Sequence, residues 1–165
     1  MKLGYLLLKF AGFAVLLFVF WIYILESGYY RLLGHIAQLT PFSYGDIDYL
    51  TQKGGEIVFR VFAIKSDLGI EVRSITANLV LFWALILATP FKFLINRLYA
   101  LIGGTILLFG LHILAIYFII RLYVQQTVLL EGIKIFIDGV LLGLVPLLLW
   151  FLFMDKRVRE KLLTF

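Results

Sequence analysis

Polar side chains within apolar stretches are the first candidates for chemistry in this sequence. His112 lies in a long apolar run, eight residues before that run ends, and Asp138 lies near the start of the next run. Eight residues of helix place His112 about 12 Å from the end of its run. An imidazole beside a carboxylate at that depth could relay protons or hold a ligand. One isolated pair forms no pathway, so the sequence favours a structural hydrogen bond between two helices.

Three other polar residues are weaker candidates for a site. Asn78, near the start of another apolar run, is interpreted as a hydrogen-bonding contact between helices. Asp46 and Asp48 are two residues apart and could bind a divalent cation from a loop, although such pairs also solvate turns. The chain has no cysteine and two histidines, and it contains no P-loop, GxGxxG, HExxH or GxSxG motif. We therefore predict no cofactor, no metal centre and no catalytic residue.

Long apolar runs must position these side chains. Hydrophobic residues make up 63% of the 165 residues, and the mean hydropathy is +1.04; a soluble domain is about 45–50% apolar. A helix needs about 20 apolar residues to cross a bilayer. The predicted spans cover residues 3–25, 75–91, 98–120 and 135–154. The composition thus predicts an α-helical integral membrane protein with four transmembrane helices.

The distribution of Lys and Arg predicts the orientation of these spans. With the N-terminus inside, the inner segments hold Lys2, Lys9, Lys92, Arg97, Lys156, Arg157, Arg159 and Lys161, opposed by Asp155 and Glu160. The outer segments carry about as many acidic as basic residues, so the positive-inside rule puts both termini in the cytoplasm. We expect a multi-pass protein of the inner cell membrane. The basic tail, residues 155–165, is interpreted as a topology signal and not as a nucleic-acid site.

Residues 26–74 are expected to form a small extracytoplasmic α+β insertion between the first two spans. Apolar residues recur at helical spacing over 29–39, which predicts an amphipathic helix lying at the membrane interface or packed on the span ends. Strands are predicted at 46–51, 56–65 and 70–73, with turns at 53–55 and 66–69. So small a meander is marginal in water and needs support from lipid, from the helix or from another chain.

Partner binding is the hypothesis that follows from this insertion. Phe59 and Val61 would face one way on the central strand and Phe62 the other, so one apolar face would stay uncovered and dock a partner. In the alternative, the amphipathic helix and the span ends cover both faces. Gly139 and Gly143 form a small-xxx-small helix face that could also contact a partner, a pattern of low specificity.

These observations predict a non-catalytic accessory or assembly subunit of a cell-envelope membrane complex, acting in transport, in secretion and protein sorting, or in envelope biosynthesis. Its partners would be the lipid bilayer and either another membrane protein or further copies of the chain, with no nucleic acid. One alternative is a homo-oligomeric channel or carrier with His112 and Asp138 near its path. Another is a small membrane enzyme using the loop carboxylates.

Overall fold

The computed structural model describes residues 3–39, 47–91, 93–125, 132, 135–136 and 142–154. Helices dominate these residues, and a three-stranded sheet follows the first helical segment. In chain order the elements are α1 (Leu3–Phe20), a π-helical turn (Trp21–Leu25), α2 (Glu26–Leu39), β1 (Ile47–Lys53), β2 (Glu56–Val61), β3 (Ser66–Glu71), α3 (Arg73–Ala88), α4 (Leu94–Gln125) and α5 (Leu142–Phe153).

α1, the π-helical turn and α2 form one unbroken helical segment. In the turn, the backbone N–H of Glu26 donates to the carbonyl of Trp21, five residues earlier. This spacing inserts one extra residue and rotates the side chains that follow relative to those that precede. The sequence predicts one helix that ends at Leu25 and a second that begins at Tyr29. The structure corrects this separation, because no proline interrupts the chain between them.

The three strands form an antiparallel meander in chain order, as predicted. The first turn uses Gly54 (φ 59°) and Gly55 (φ 95°), and positive φ at both positions is what a tight two-residue hairpin requires. The second turn spans residues 62–65 and is closed by a bond from the Lys65 N–H to the Phe62 carbonyl (3.3 Å). The turn predicted at residues 66–69 is wrong, since those residues begin β3.

One face of the sheet is apolar and packs on α2, whereas the other face is charged. The buried face consists of Ile47, Ile57, Phe59, Val61 and Ile70. On the opposite face Arg60 lies between Asp48 of β1 and Asp67 of β3. The expected strand with aromatics on both faces is corrected, because β2 ends at Val61 and Phe62 lies in the turn beyond it.

α3 is the central helix of the bundle and packs on α1, α4 and α5. Its buried residues include Leu79, Phe82, Ala84 and Ile86. Gly104 of α4 lies directly against the Phe82 ring, where a Cβ atom would overlap the ring. Close approach of helices at a small residue is typical of packing inside a bilayer, where lipid gives helices no hydrophobic drive to associate.

Within the described ranges, two helices are long and apolar enough to cross a membrane, Gly4–Leu39 and Leu94–Gln125. α3 and residues Gly143–Phe153 are shorter apolar helices. Only 6% of the most apolar 18-residue stretch of the first helix is buried within the chain. Its apolar side chains, such as Leu8 and Leu16, therefore face outward. These properties are compatible with membrane association.

Candidate functional site

Three polar side chains link α2, α3 and α4 through the interior of the bundle. The Tyr29 hydroxyl lies 2.6 Å from His112 Nδ1, and His112 Nε2 lies 2.8 Å from Asn78 Oδ1. An amide oxygen only accepts hydrogen bonds, so His112 donates through Nε2 and accepts the Tyr29 proton at Nδ1. The imidazole is 0% exposed. Both ring nitrogens are therefore engaged, which holds the ring in one tautomer.

The structure brings together two residues that the sequence singled out separately, His112 and Asn78. Asp138, the partner expected for His112, lies outside the described residues. Tyr29 is not among the site residues predicted from the sequence. Its position on the packed side of a helix could have indicated the contact, because a buried tyrosine hydroxyl needs a hydrogen-bond partner.

A second polar cluster ties the start of α2 to the start of α3. Arg73 Nε donates to Glu26 Oε1 (2.8 Å) and Nη2 donates to Oε2 (3.3 Å). The Tyr30 hydroxyl donates to the same Oε1 (2.9 Å) and lies 3.2 Å from Thr76 Oγ1. Hydrogen bonding to Glu26 raises the pKa of the Arg73 guanidinium, so this cation keeps its charge. This pair joins the start of α2 to the start of α3, which follows directly after β3.

Two adjoining apolar grooves run along α4, and they share Trp83, Thr105 and Ile106. The first, about 490 Å³, reaches the π-helical turn, Gly28 and Tyr29. The second, about 460 Å³, reaches Leu98. We refer to the two grooves together as the trough. Among the described residues that line it, none is charged.

Polar atoms at the trough are bonded within the chain. Trp83 Nε1 donates to Thr105 Oγ1 (2.8 Å), and the Tyr29 hydroxyl is used by His112. The Tyr29 ring meets Trp21 and Phe109 edge to face, with centroids 5.1 and 5.5 Å apart. Trp21 belongs to the π-helical turn, a feature often found at functional sites. The trough therefore offers an apolar surface with a fixed aromatic wall.

The opposite end of α3 carries a third polar cluster, near the Leu98 end of the trough. Arg97 Nη2 donates to the Thr89 carbonyl (3.1 Å), and Trp150 Nε1 donates to Thr89 Oγ1 (2.7 Å). The Arg97 guanidinium also lies 5.8 Å from the centre of the Phe91 ring. Arg97 Nε is buried without a hydrogen-bond partner among the described residues. This cation thus keeps donors that the described chain does not use.

The residues proposed for partner binding occupy different environments. Phe59 and Val61 are 0% and 1% exposed, so their side chains lie in the core between the sheet and α2. Phe62 is 51% exposed at the tip of the second turn. Gly143 is exposed, with open space where a Cβ would stand, and Gly139 lies outside the described residues. Of Phe59, Val61 and Phe62, the three residues of the insertion proposed for partner binding, Phe62 alone has an exposed side chain.

Of Asp46 and Asp48, the two residues proposed to bind a cation, Asp48 lies within the described residues. Asp48 is exposed on β1 and lies opposite Arg60 of β2, whereas Asp46 is outside the described residues. Within the described ranges, no group of three or more His, Cys, Asp or Glu side chains is arranged to hold a metal ion.

These clusters suit the joining of helices and the binding of apolar groups, and each polar contact above has a structural role in the bundle. Compared with known proteins, the chain matches no family model, no curated protein and no solved structure.

Proposed function

We propose that this chain is a non-catalytic membrane subunit that holds a partner protein through the free edge and apolar tip of its sheet. The chain would cross the inner membrane four times with both termini in the cytoplasm. The observation that carries the proposal is the difference between the two edges of the sheet. One edge is covered by α2, and no described residue pairs with the other.

The proposed layout is supported by helix lengths and by the positions of the charged clusters. α3 has 16 residues, or about 24 Å of helix, between the Glu26–Arg73 pair at one end and the Arg97–Thr89 pair at the other. The hydrocarbon core is about 30 Å thick. The Glu26–Arg73 ion pair and the Arg97 guanidinium would thus lie near the two membrane interfaces, with the sheet outside.

The β1 edge is closed by α2 and by an irregular backbone. The Tyr49 N–H donates to Gln38 Oε1 (2.7 Å), and Gln52 Nε2 donates to Ser27 Oγ (2.7 Å). The register also shifts between Tyr49 and Thr51, which leaves Leu50 as an extra residue. Bulges and side-chain caps are common means of keeping an edge strand from pairing with another chain.

The β3 edge has unused backbone groups at defined positions. The Val72 N–H donates to the Gly55 carbonyl (3.0 Å), so hydrogen-bonded pairs between β2 and β3 recur at every second residue from there. Asp67, Gly69 and Glu71 then direct their backbone N–H and C=O groups away from β2. An extended segment of a partner could add a fourth strand at these three positions.

The apolar tip lies beside this edge and away from the proposed membrane surface. β1 runs antiparallel to α2, since Gln52 contacts Ser27 while Tyr49 contacts Gln38. The second turn therefore lies near the far end of α2, about 20 Å along that helix from Glu26. Phe62 is 51% and Ile64 39% exposed there. Lipid would not reach these side chains at that distance, so a protein partner is the occupant that we propose.

Site-specific photo-crosslinking in intact cells tests the proposal. A benzoylphenylalanine introduced at Phe62, Ile64 or Asp67 should yield one adduct with the same distinct membrane protein. Thr51, exposed on β1, is the matched control and should give none. The adduct should be lost when Phe62→Asp is combined with the probe at Ile64.

Two results would count against this function. Adducts made only of two copies of the chain would favour the homo-oligomer instead. Adducts confined to a single chain would mean that the edge is covered by the protein itself.

A further inference from the structure

The trough has a length and a lining that suit one hydrocarbon chain. From Leu98 to Phe109 it follows α4 for about 17 Å, close to the roughly 15 Å that one leaflet contributes to the hydrocarbon core. Each groove is within the volume range of small-ligand sites.

Arg97 lies next to the Leu98 end of the trough along α4. Arg97 precedes Leu98, which lines the trough, and Leu101, one turn further along α4, lines it as well. One Arg97 nitrogen is bonded to Thr89 and its Nε has no partner among the described residues. A guanidinium has five N–H donors and prefers phosphate or carboxylate oxygens. At the other mouth, Gly28 and Tyr29 leave an apolar end.

We propose that the trough binds one acyl chain of an anionic phospholipid from the leaflet on the Arg97 side, with the lipid phosphate on Arg97. Phosphate and guanidinium supply the charge complementarity, and the uncharged lining accepts the hydrocarbon. This site shares the membrane layout with the function proposed above but does not require the sheet to bind a partner.

Trp83 provides a direct probe of the site, because its side chain lines both halves of the trough. Trp21 lines the trough and Trp150 bonds Thr89 beside Arg97, so both stay in place. The Trp83 signal is the difference between the chain and its Trp83→Phe variant, each reconstituted in phosphatidylcholine vesicles. A small, equal mole fraction of brominated phosphatidylglycerol or brominated phosphatidylcholine is then added. We expect brominated phosphatidylglycerol to quench Trp83 fluorescence at least twice as strongly as brominated phosphatidylcholine.

Two pairs of variants separate a lipid site from ordinary contact with the bilayer. Arg97→Gln should abolish the preference for the anionic lipid, whereas Arg121→Gln, at the other end of α4, should keep it. A Cβ atom added at Gly28 would meet open space, so Gly28→Leu can place its side chain in the trough. This variant should lower the quenching by either lipid. Gly12→Leu, also with open space but outside the trough, should not.

Equal quenching by the two lipids in the parent chain would overturn the proposal, as would a preference that survives Arg97→Gln. An absence of Trp83 quenching by either lipid would also overturn it. These results do not depend on the crosslinks at the sheet. A failure of the lipid site and a failure of the docking function are therefore distinguishable.

Discussion

The hydroxyl of Tyr29 lies 2.6 Å from Nδ1 of His112, across 83 positions of the chain. This bond joins α2 to α4 at the point where the π-helical turn has just rotated the helix. The other ring nitrogen of His112, Nε2, is hydrogen-bonded to Asn78 of α3. Three helices thus meet through one buried hydrogen-bonded chain.

Replacing Tyr29 with Phe should destabilise the bundle by about 1–2 kcal/mol, because Nδ1 of a buried imidazole loses its hydrogen-bond donor while the ring contacts remain. The free energy of unfolding can be followed by circular dichroism during titration with SDS in mild detergent. Tyr23→Phe is the matched control, since Tyr23 is 82% exposed. Equal stability of the two variants would contradict the structural role of the bond.

Gly104→Ala should lower the free energy of unfolding by about 1–3 kcal/mol, because the added methyl group overlaps the Phe82 ring and the helices must separate. Gly110→Ala on the same helix has open space and should be neutral or stabilising by up to about 1 kcal/mol. The same SDS titration compares the two. Combining Gly104→Ala with Phe82→Leu should recover part of the loss, and a lack of any recovery would argue against this contact.

Arg73→Gln should loosen the sheet from the helices, because the carboxylate of Glu26 is mostly buried and loses its cation. Limited proteolysis near Gly54 and Gly55 provides the measurement, and cleavage should be faster than in the parent chain. Arg60→Gln is the control, since both members of the Arg60–Asp67 pair are more than half exposed and such pairs contribute little. Cleavage at the same rate in both variants would show that the Glu26 pair is not needed to hold the sheet.

The proposed orientation can be tested with single cysteines, because the chain contains none of its own. Lys53→Cys should react with a membrane-impermeant maleimide added to intact cells, whereas Phe165→Cys should react only after the membrane is opened. The physical reason is the excess of Lys and Arg on the side of the termini. Labelling of position 165 alone in intact cells would invert the layout and place the sheet in the cytoplasm.

Several features of this protein follow from local sequence patterns. Apolar runs of sufficient length predict helices wherever they occur, and α4 extends beyond the predicted 98–120 at both ends. Gly54-Gly55 between two β-rich segments predicts a hairpin, because few other residues adopt positive φ at both positions. These patterns depend on neighbours within one or two turns of chain, and local energetics alone determine them.

Other features required the packed chain. Among the described residues the partners of His112 are Tyr29 and Asn78, because a side chain can bond only to groups that helix packing brings within about 3 Å. The burial of Phe59 depends on α2 lying over one face of the sheet, and the covered β1 edge depends on the same contact. The trough depends on the spacing of α2 and α4, which no single segment encodes. The sequence determined which segments are apolar and helical, and the tertiary structure decided which polar groups meet and which surfaces stay open.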